Sequence, residues 1–507
     1  MVTDYQTQDI KNAGLCRTEV IGMGFTSYRF IFVFMPILLA GWNILGKSGC
    51  KRKYSNFFLF IMSVIFAWGG VQNNWKSFLL LLVTIVINWI CTSVMRLVSP
   101  KAGFWIAFCN IAGNVGMLVF FKYADWIRRI FDPGADAWKL LLPLGISFYT
   151  LEQIMYVMDC YRDRSVRYHF LEFTVYSTFF PAIASGPILR HDVFIGQLRE
   201  NNRSISDENL AQGMISVCLG MGKKVLIAAQ LSKFADYGYQ NVNDISTLTA
   251  VLCMITYSLQ LYFDFSGYCN MAEGIAQMLG FELPQNFDSP YQALSIGEFW
   301  KKWHMTLTSF LTRYIYIPLG GNRKGRIRQS FHIMCVFIIS GFWHGASWCF
   351  VIWGILHGIC MVLDKLTGKI QARLPDILKR SFTFGLVSLL WVPFRSASLA
   401  DAKVMLFHLF QGTMYVDDGF WNQMMSGSTG LLNNLGYITY DTACFCRKIL
   451  SVLFLFLLLM VVFHGKNVNA LKKRYCGNIW FAVFCGMTLF FSVIQFTSVT
   501  SFIYEGF

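Results

Sequence analysis

Residues 299–325 read FWKKWHMTLTSFLTRYIYIPLGGNRKG, and residues 340–358 read SGFWHGASWCFVIWGILHG. Each stretch places one histidine, His304 or His344, in strongly apolar surroundings, and no Lys, Arg, Asp or Glu occurs from Phe331 to Leu363. A titratable group at such depth loses its hydration and must be compensated. Inside a membrane it is a functional-site hypothesis by default.

The rest of the chain fits a membrane setting. Of 507 residues, 55% are hydrophobic, 17% aromatic and only 14% charged, against about 25% charged in soluble proteins. The apolar residues fall in long runs, the pattern of an all-α polytopic membrane protein. The net charge of +15 comes from basic residues in short loops, which suits an anionic cytoplasmic leaflet rather than nucleic acid. Fifteen cysteines lie mostly within apolar runs. No CxxC pair occurs, and CFC (444–446) lacks metal-type neighbours, so neither a disulfide framework nor a metal site is expected. The first two dozen residues do not read as a cleavable signal, and the first hydrophobic segment is expected to act as an uncleaved one.

A span needs about 20 mostly apolar residues. Such runs fall near 29–46, 57–72, 77–95, 102–121, 140–159, 171–189, 209–230, 248–272, 331–363, 381–395, 449–465 and 478–504. Roughly 11–13 transmembrane or re-entrant segments are expected. Region 331–363 would extend about 50 Å as one helix, so it either tilts strongly or breaks in two, with Gly341 and Gly345 as the break point. Loops carrying Lys47, Lys51, Arg52 and Lys53, then Arg96 and Lys101, then Arg162, Arg164 and Arg167 fall on one side if the spans alternate. That side reads as cytoplasmic. Loop 122–139 falls opposite, and 411–447 reads as extramembrane. Residues 1–24 read as an N-terminal extension outside the cytoplasm, and 25–507 as one membrane domain with its core motifs in 140–365. No internal repeat is seen, which disfavours inverted-repeat transporters.

As one helix, 299–318 places Phe299, Trp303, Leu307, Phe310 and Tyr314 on one stripe, with His304 and Thr308 on another face. Lys301, Lys302 and Arg313 would reach the headgroups, and Pro318 with Gly320–Gly321 stops the helix. On these residues alone, an interfacial helix with an incidental histidine is as good a reading as a site. The basic loop from Asn322 to Arg328 reads as a cytoplasmic anchor. His344 is either packing glue between helices or a general base acting on a hydroxyl. His357, thirteen residues on, turns to another face and reads as structural. His169 and His191 read as loop residues, and His332, His408 and His464 lie near segment ends. Gln260, Asp264, Ser266, Tyr268, Asn270 and Glu273 form a polar cluster in or beside an apolar run. It suits an ion-coupling site, tunnel lining, or a helix end emerging into water near Asn270. No Walker A, GxGxxG, HExxH or GxSxG signature occurs.

Several stretches carry a family resemblance: LPLGISFYTLEQIMYVMDCYR (142–162), FFPAIASGPILR (179–190), GMGKKVLIA (220–228), LYFDFSGYCNMAEGIAQMLGF (261–281), residues 299–325, GFWHGASW (341–348) and WVPFRS (391–396), with FTSYRFIFVFMPILL (25–39) and SFIYEGF (501–507) at the ends. In order and almost throughout, the chain resembles the membrane-bound O-acyltransferase superfamily. The bacterial branch of alginate O-acetylation and D-alanyl-lipoteichoic acid synthesis proteins matches best, and RYIYIPLGGNRKG (313–325) leans to the O-acetylation group. The resemblance implies a ring of membrane helices around a central tunnel. His344 matches the family's catalytic histidine and His304 its second one. Trp303, Trp343, Tyr314, Arg313, Gln260, Asp264 and Ser266 become expected substrate-binding residues. The implied donor is a cytoplasmic thioester, acetyl-CoA or an acyl carrier protein. The acceptor is a hydroxyl of an extracytoplasmic polysaccharide or of a relay protein, and the setting is a bacterial plasma membrane. No bound cofactor or metal is implied. Thr312–Arg313 stands where the family often has Arg-Asp, so the partner of Arg313 is not given by its neighbour.

His344 is then expected to take the acceptor's proton as its oxygen attacks the thioester, while His304 polarises the carbonyl or orients the donor. The rivals are D-alanyl transfer toward teichoic acid, a transporter or flippase for a lipid-linked sugar that uses Asp264 and Glu273, and a non-catalytic scaffold.

Overall fold

A computed structural model describes residues 23–496, except 49–50, 71–74, 133, 135, 137, 139, 141, 144, 201–204, 324, 372 and 424–439. The expectations for residues 1–22, for Lys324 and for the ending SFIYEGF lie outside the described residues. Among the described residues all regular elements are helical, apart from an isolated antiparallel bridge between Phe287 and Trp303. Hydrocarbon offers no hydrogen bonds, so a segment this apolar must satisfy its own backbone, and a helix does so.

Nine helices position the site. They are α1 (Pro100–Phe131), α2 (Ile146–Arg162), α3 (Asp207–Gln240, with a π-helical stretch at Gly222–Ala228), α4 (Thr247–Met278), α5 (Ile296–Lys302), α6 (Met305–Leu311), α7 (Arg326–His344), α8 (Trp348–Gln371) and α9 (Asp376–Arg395). By length and hydropathy alone, seven described helices can cross a membrane. Up to eight can if the pair Lys448–His464 and Val468–Tyr475, bent by 82°, counts as one span. The wider expectation of 11–13 included shorter and re-entrant pieces. One of those is corrected: 171–189 forms two short helices, Phe170–Thr178 and Phe180–Ile183, because Pro181 cannot continue the first.

Of the tilt and the break open to 331–363, the break is present. Helix α7 ends at His344 and α8 starts at Trp348. Gly341 stays helical and lets the two helices touch, since a Cβ there would come 2.5 Å from the Phe350 carbonyl. The helix end that was one reading near Asn270 is not found. Helix α4 runs on to Met278 and is buried along most of its length, so its polar cluster packs against protein. Glycines permit this: a Cβ on Gly213 would come 2.6 Å from the Gly274 carbonyl, and one on Gly220 would come 2.7 Å from that of Gly267. Small residues two turns apart on both helices draw α3 and α4 together.

The loop-charge assignment has a geometric counterpart. Arg96 donates to the Val166 carbonyl at 3.1 Å, and Arg164 to that of Val98 at 2.8 Å. Two of the basic loops therefore share one end of the bundle. Loop 122–139 starts later than expected, because α1 continues to Phe131 and keeps Lys122 inside the helix.

Across the α3–α4 contact, Lys224 and Asp264 form an ion pair of 2.5 Å, with side chains 5% and 7% exposed. Breaking one side of a buried pair strands the other charge. Lys224→Met is expected to cost about 3–5 kcal/mol, read as a lower unfolding temperature in detergent, and Asp264→Leu in the same chain is expected to recover most of it. Unfolding of the single variant at the wild-type temperature contradicts this account of the contact.

Candidate functional site

His304 lies at a break in the chain. The expected continuous helix over 299–318 is α5, a kink, and α6 followed by a π-helical turn at Thr312–Tyr316. At the kink His304 has φ 46° and ψ 54°, a left-handed conformation that non-glycine residues seldom adopt. Upstream backbone holds it there. The Met305 amide donates to the Asn286 carbonyl at 3.0 Å, and the Asp288 amide to that of Lys302 at 3.0 Å. Strained backbone persists only where its surroundings over-determine it.

The kink divides the expected stripe. Phe299 and Trp303 turn into the main core, where Trp303 packs on Trp391, Phe287 and Tyr291. Leu307, Phe310 and Tyr314 join a second cluster with Phe148, Met155 and Trp343. Trp303 is 1% exposed, so among the described residues its place is in the core.

Asn286, not marked out by the sequence, fixes the His304 tautomer. Its Oδ1 accepts from the Thr306 amide at 3.2 Å and from the Thr306 hydroxyl at 3.0 Å, and it lies 3.1 Å from His304 Nδ1. An oxygen engaged by a backbone N–H is an acceptor, so Nδ1 carries the proton and Nε2 presents its lone pair. Nε2 has no hydrogen-bond partner among the described residues. The His304 ring meets the Phe265 ring at 4.9 Å between centroids and that of Trp343 at 6.1 Å.

His344 is the last residue of α7 and is 3% exposed. Its ring lies edge-on to Trp343 (4.9 Å), Trp353 (5.0 Å) and Phe394 (5.3 Å). Trp343 thus touches both histidines. Trp343 is itself held from two sides: its indole N–H donates to the Ser147 carbonyl at 3.2 Å, and its carbonyl accepts from Lys122 Nζ at 2.5 Å. Because the helix breaks, His357 also comes near this shell. Its ring is 5.0 Å from Trp353, and its Nδ1 accepts from the Trp300 indole at 3.3 Å.

Two helices measure the depth of the pair. Phe148, in ring contact with Trp343 and His304, precedes Arg162 by about 21 Å along α2. Arg326 and His344 are separated by about 27 Å along α7. With a hydrocarbon core of about 30 Å, both put the imidazoles far from the basic loops. Helix tilt shortens these depths.

Toward the basic end lies a cavity of about 410 Å³. Met305, Thr306, Ser309, Arg190, Arg313 and Tyr314 are among its lining residues. Neither histidine lines it, but its wall begins at the residue after His304. Arg313 finds its acid on α2: its guanidinium lies 3.2 Å from Asp159, which also accepts from the Tyr314 hydroxyl at 2.7 Å. The same carboxylate is 3.3 Å from His191 Nε2, and His191 Nδ1 meets the Tyr168 hydroxyl at 2.8 Å. His191 is therefore a buried residue opening helix His191–Glu200, a correction to its reading as a loop residue. His332 is likewise buried within α7 and bonded to the Gly321 carbonyl at 2.9 Å.

Of the remaining expected residues, Arg313 and Tyr314 reach the cavity, and Trp343 reaches both imidazoles. Gln260, Asp264 and Ser266 do not line the cavity. Asp264 pairs with Lys224, and Ser266 is 3.4 Å from Lys223 Nζ. Helix α4 meets His304 through Phe265 instead. No group of three or more His, Cys, Asp or Glu among the described residues could hold a metal ion.

Comparison with known proteins identifies the family. The sequence profile of the MBOAT, membrane-bound O-acyltransferase family matches residues 117–392, which include both histidines and all of the cavity's lining residues. A peptidoglycan O-acetyltransferase of Helicobacter pylori is 37% identical over 420 residues, 75% of this chain and 79% of that one. A probable alginate O-acetylase AlgI of Pseudomonas aeruginosa is 35% identical over 402 residues, 76% and 75% of the two chains. A teichoic acid D-alanyltransferase of Bacillus subtilis is 25% identical over 356 residues, 66% and 87% of the two chains. A matched profile spanning more than half the sequence, with relatives aligned over three quarters of it, establishes that this multi-pass membrane protein belongs to the membrane-bound O-acyltransferase family and transfers acyl groups to oxygen.

Proposed function

We propose that the protein moves an acetyl group from a cytoplasmic thioester, through the histidine pair, to a hydroxyl on the far side of the membrane. The hydroxyl belongs to a cell-envelope polysaccharide or to a relay protein. The observation that carries this reading is the pairing of two buried imidazoles at two separate helix breaks around one tryptophan. Two such desolvated histidines are costly in a membrane unless they act.

His344 takes the proton of the acceptor hydroxyl. The freed oxygen bonds to the thioester carbonyl carbon, the tetrahedral intermediate collapses, the carbon–sulfur bond breaks, and the departing thiolate takes the proton from the imidazolium. A thioester is already activated, so positioning and proton acceptance are the main demands. His304 orients the donor. Its Nδ1–H is committed to Asn286, so its Nε2 suits acceptance from a donor N–H rather than polarisation of a carbonyl. The cavity at the basic end suits the donor's approach. Arg190 and Arg313, with 46% and 39% of their side chains exposed, match the phosphates of coenzyme A or a phosphopantetheine arm. Acetyl is favoured over D-alanyl by the identities of 37% and 35% to the two O-acetylating relatives against 25% to the D-alanyltransferase. Asp264 already has Lys224 as counter-ion, which suits a structural role better than ion coupling.

Three variants test the reading with labelled acetyl-CoA and purified, folded protein. His344→Ala is expected to lose at least about 10²-fold in transfer, the lower bound for a positioned base. Wild-type transfer by that variant removes the histidine from the mechanism. Asn286→Leu is expected to lower turnover and to cost about 1–3 kcal/mol of stability through unpaired polar groups; unchanged turnover detaches the tautomer from catalysis. Ser309→Trp fills the cavity, and the donor KM is expected to rise several-fold with little change in kcat. An unaltered KM places the donor route elsewhere.

A further inference from the structure

Lys122 belongs to no part of the scheme above, yet its ammonium lies against Trp343, beside the centre of that scheme. It is carried by α1, a membrane-spanning helix, and its Nζ donates to the Trp343 carbonyl at 2.5 Å. The same Nζ lies 3.4 Å from the Ser147 hydroxyl and 5.7 Å from the Trp343 ring centroid. Trp343 and His344 end α7. The last carbonyls of a helix have no partner within it, and the backbone dipoles make that end negative. In the membrane such carbonyls must be met by protein, and an ammonium meets both the orphan carbonyl and the charge.

Helix α1 also reaches the other side of the break. One turn beyond Lys122, Trp126 packs edge-on against Trp348, the first residue of α8, at 5.4 Å between centroids. One helix therefore grips α7 where it stops and α8 where it resumes, with His344 between. Ser147, in the first turn of α2, completes the grip, taking the Trp343 indole on its carbonyl.

We propose that Lys122 is a positioning residue for acyl transfer: by capping α7 at Trp343 it fixes the place and direction of the His344 imidazole in the break. This rests on the reading of His344 as the base. The role is distinct from general stability, because a cap lost at this point lets the histidine drift while the rest of the helix bundle remains. Misplacement by about 1 Å can cost about 10²-fold in rate.

The test uses full-length protein in detergent or proteoliposomes, labelled acetyl-CoA, and four variants. Lys122→Met keeps the length of the side chain and removes its donor. It is expected to lower kcat by about 10²-fold with the donor KM within twofold of wild type. Lys122→Arg restores a cationic donor and is expected to recover at least a tenth of wild-type kcat. Arg129→Met, at an exposed cation farther along the same helix, is expected to leave turnover unchanged. His344→Ala is assayed alongside. If Lys122→Met turns over normally while His344→Ala is inactive, the positioning role is overturned and the base survives. If His344→Ala is active, the underlying reading fails instead. If Lys122→Met does not fold, Lys122→Arg decides: a folded arginine variant with no turnover recovery overturns the cap, and one with recovery supports it.

Discussion

In hydrocarbon, a backbone amide or carbonyl must find its partner inside the protein, and that constraint governs where this chain can be irregular. Both histidines occur where regular helix stops. At His304 the neighbouring backbone is satisfied by residues 286–288, and at His344 the end of the helix is met by Lys122. Each break thus depends on residues outside its own helix, and each releases an imidazole from the side of a helix into the interior. The aromatic shell follows from the same constraint. Trp343, Trp353, Phe394, Phe148 and Phe265 are large enough to close lipid and water out of a break, while their edges and faces suit a neutral imidazole.

The two ends of the site differ as the proposed reaction requires. Toward the basic loops there is a cavity with guanidinium groups on its wall and a carboxylate, Asp159, tying Arg313, Tyr314 and His191 together. Around His344 there are rings and one capped helix end. A phosphate-bearing donor belongs with the first environment, and proton transfer in a dry, pre-organised setting with the second.

Much of this was legible in the sequence, for identifiable reasons. Helices such as α1, α3 and α4 announce themselves because a span must be long and apolar. Length shows that 331–363 cannot fit upright, which left a strong tilt or a break near Gly341 and Gly345, and the structure has the break. His344 stands out because no charge lies near it in the chain. The single helix over 299–318 was misread because its apolar stripe is real in spacing, while the kink at His304 is imposed by Asn286 and Asp288 from outside the stretch. Local pattern cannot see a tertiary override of this kind. Arg313 looked unpaired for the same reason, as its acid lies 154 residues away on α2. Lys122 looked like a loop cation because it borders a charged segment, and nothing in its neighbours tells that α1 continues past it. A helix end near Asn270 was one of three readings of the polar cluster because polar residues usually mean water, whereas here they mean another helix.

The central claim is that an acyl group enters from the face of the basic loops and leaves from the opposite face. It is tested most directly by sided transfer in proteoliposomes of a single orientation, with labelled acetyl-CoA confined to the face of the basic loops and a soluble oligosaccharide of a cell-envelope polysaccharide, together with the cell's envelope proteins, confined to the other. The account predicts labelled oligosaccharide in this arrangement and none when donor and acceptor exchange sides. Label that appears only when donor and acceptor share one face would contradict it.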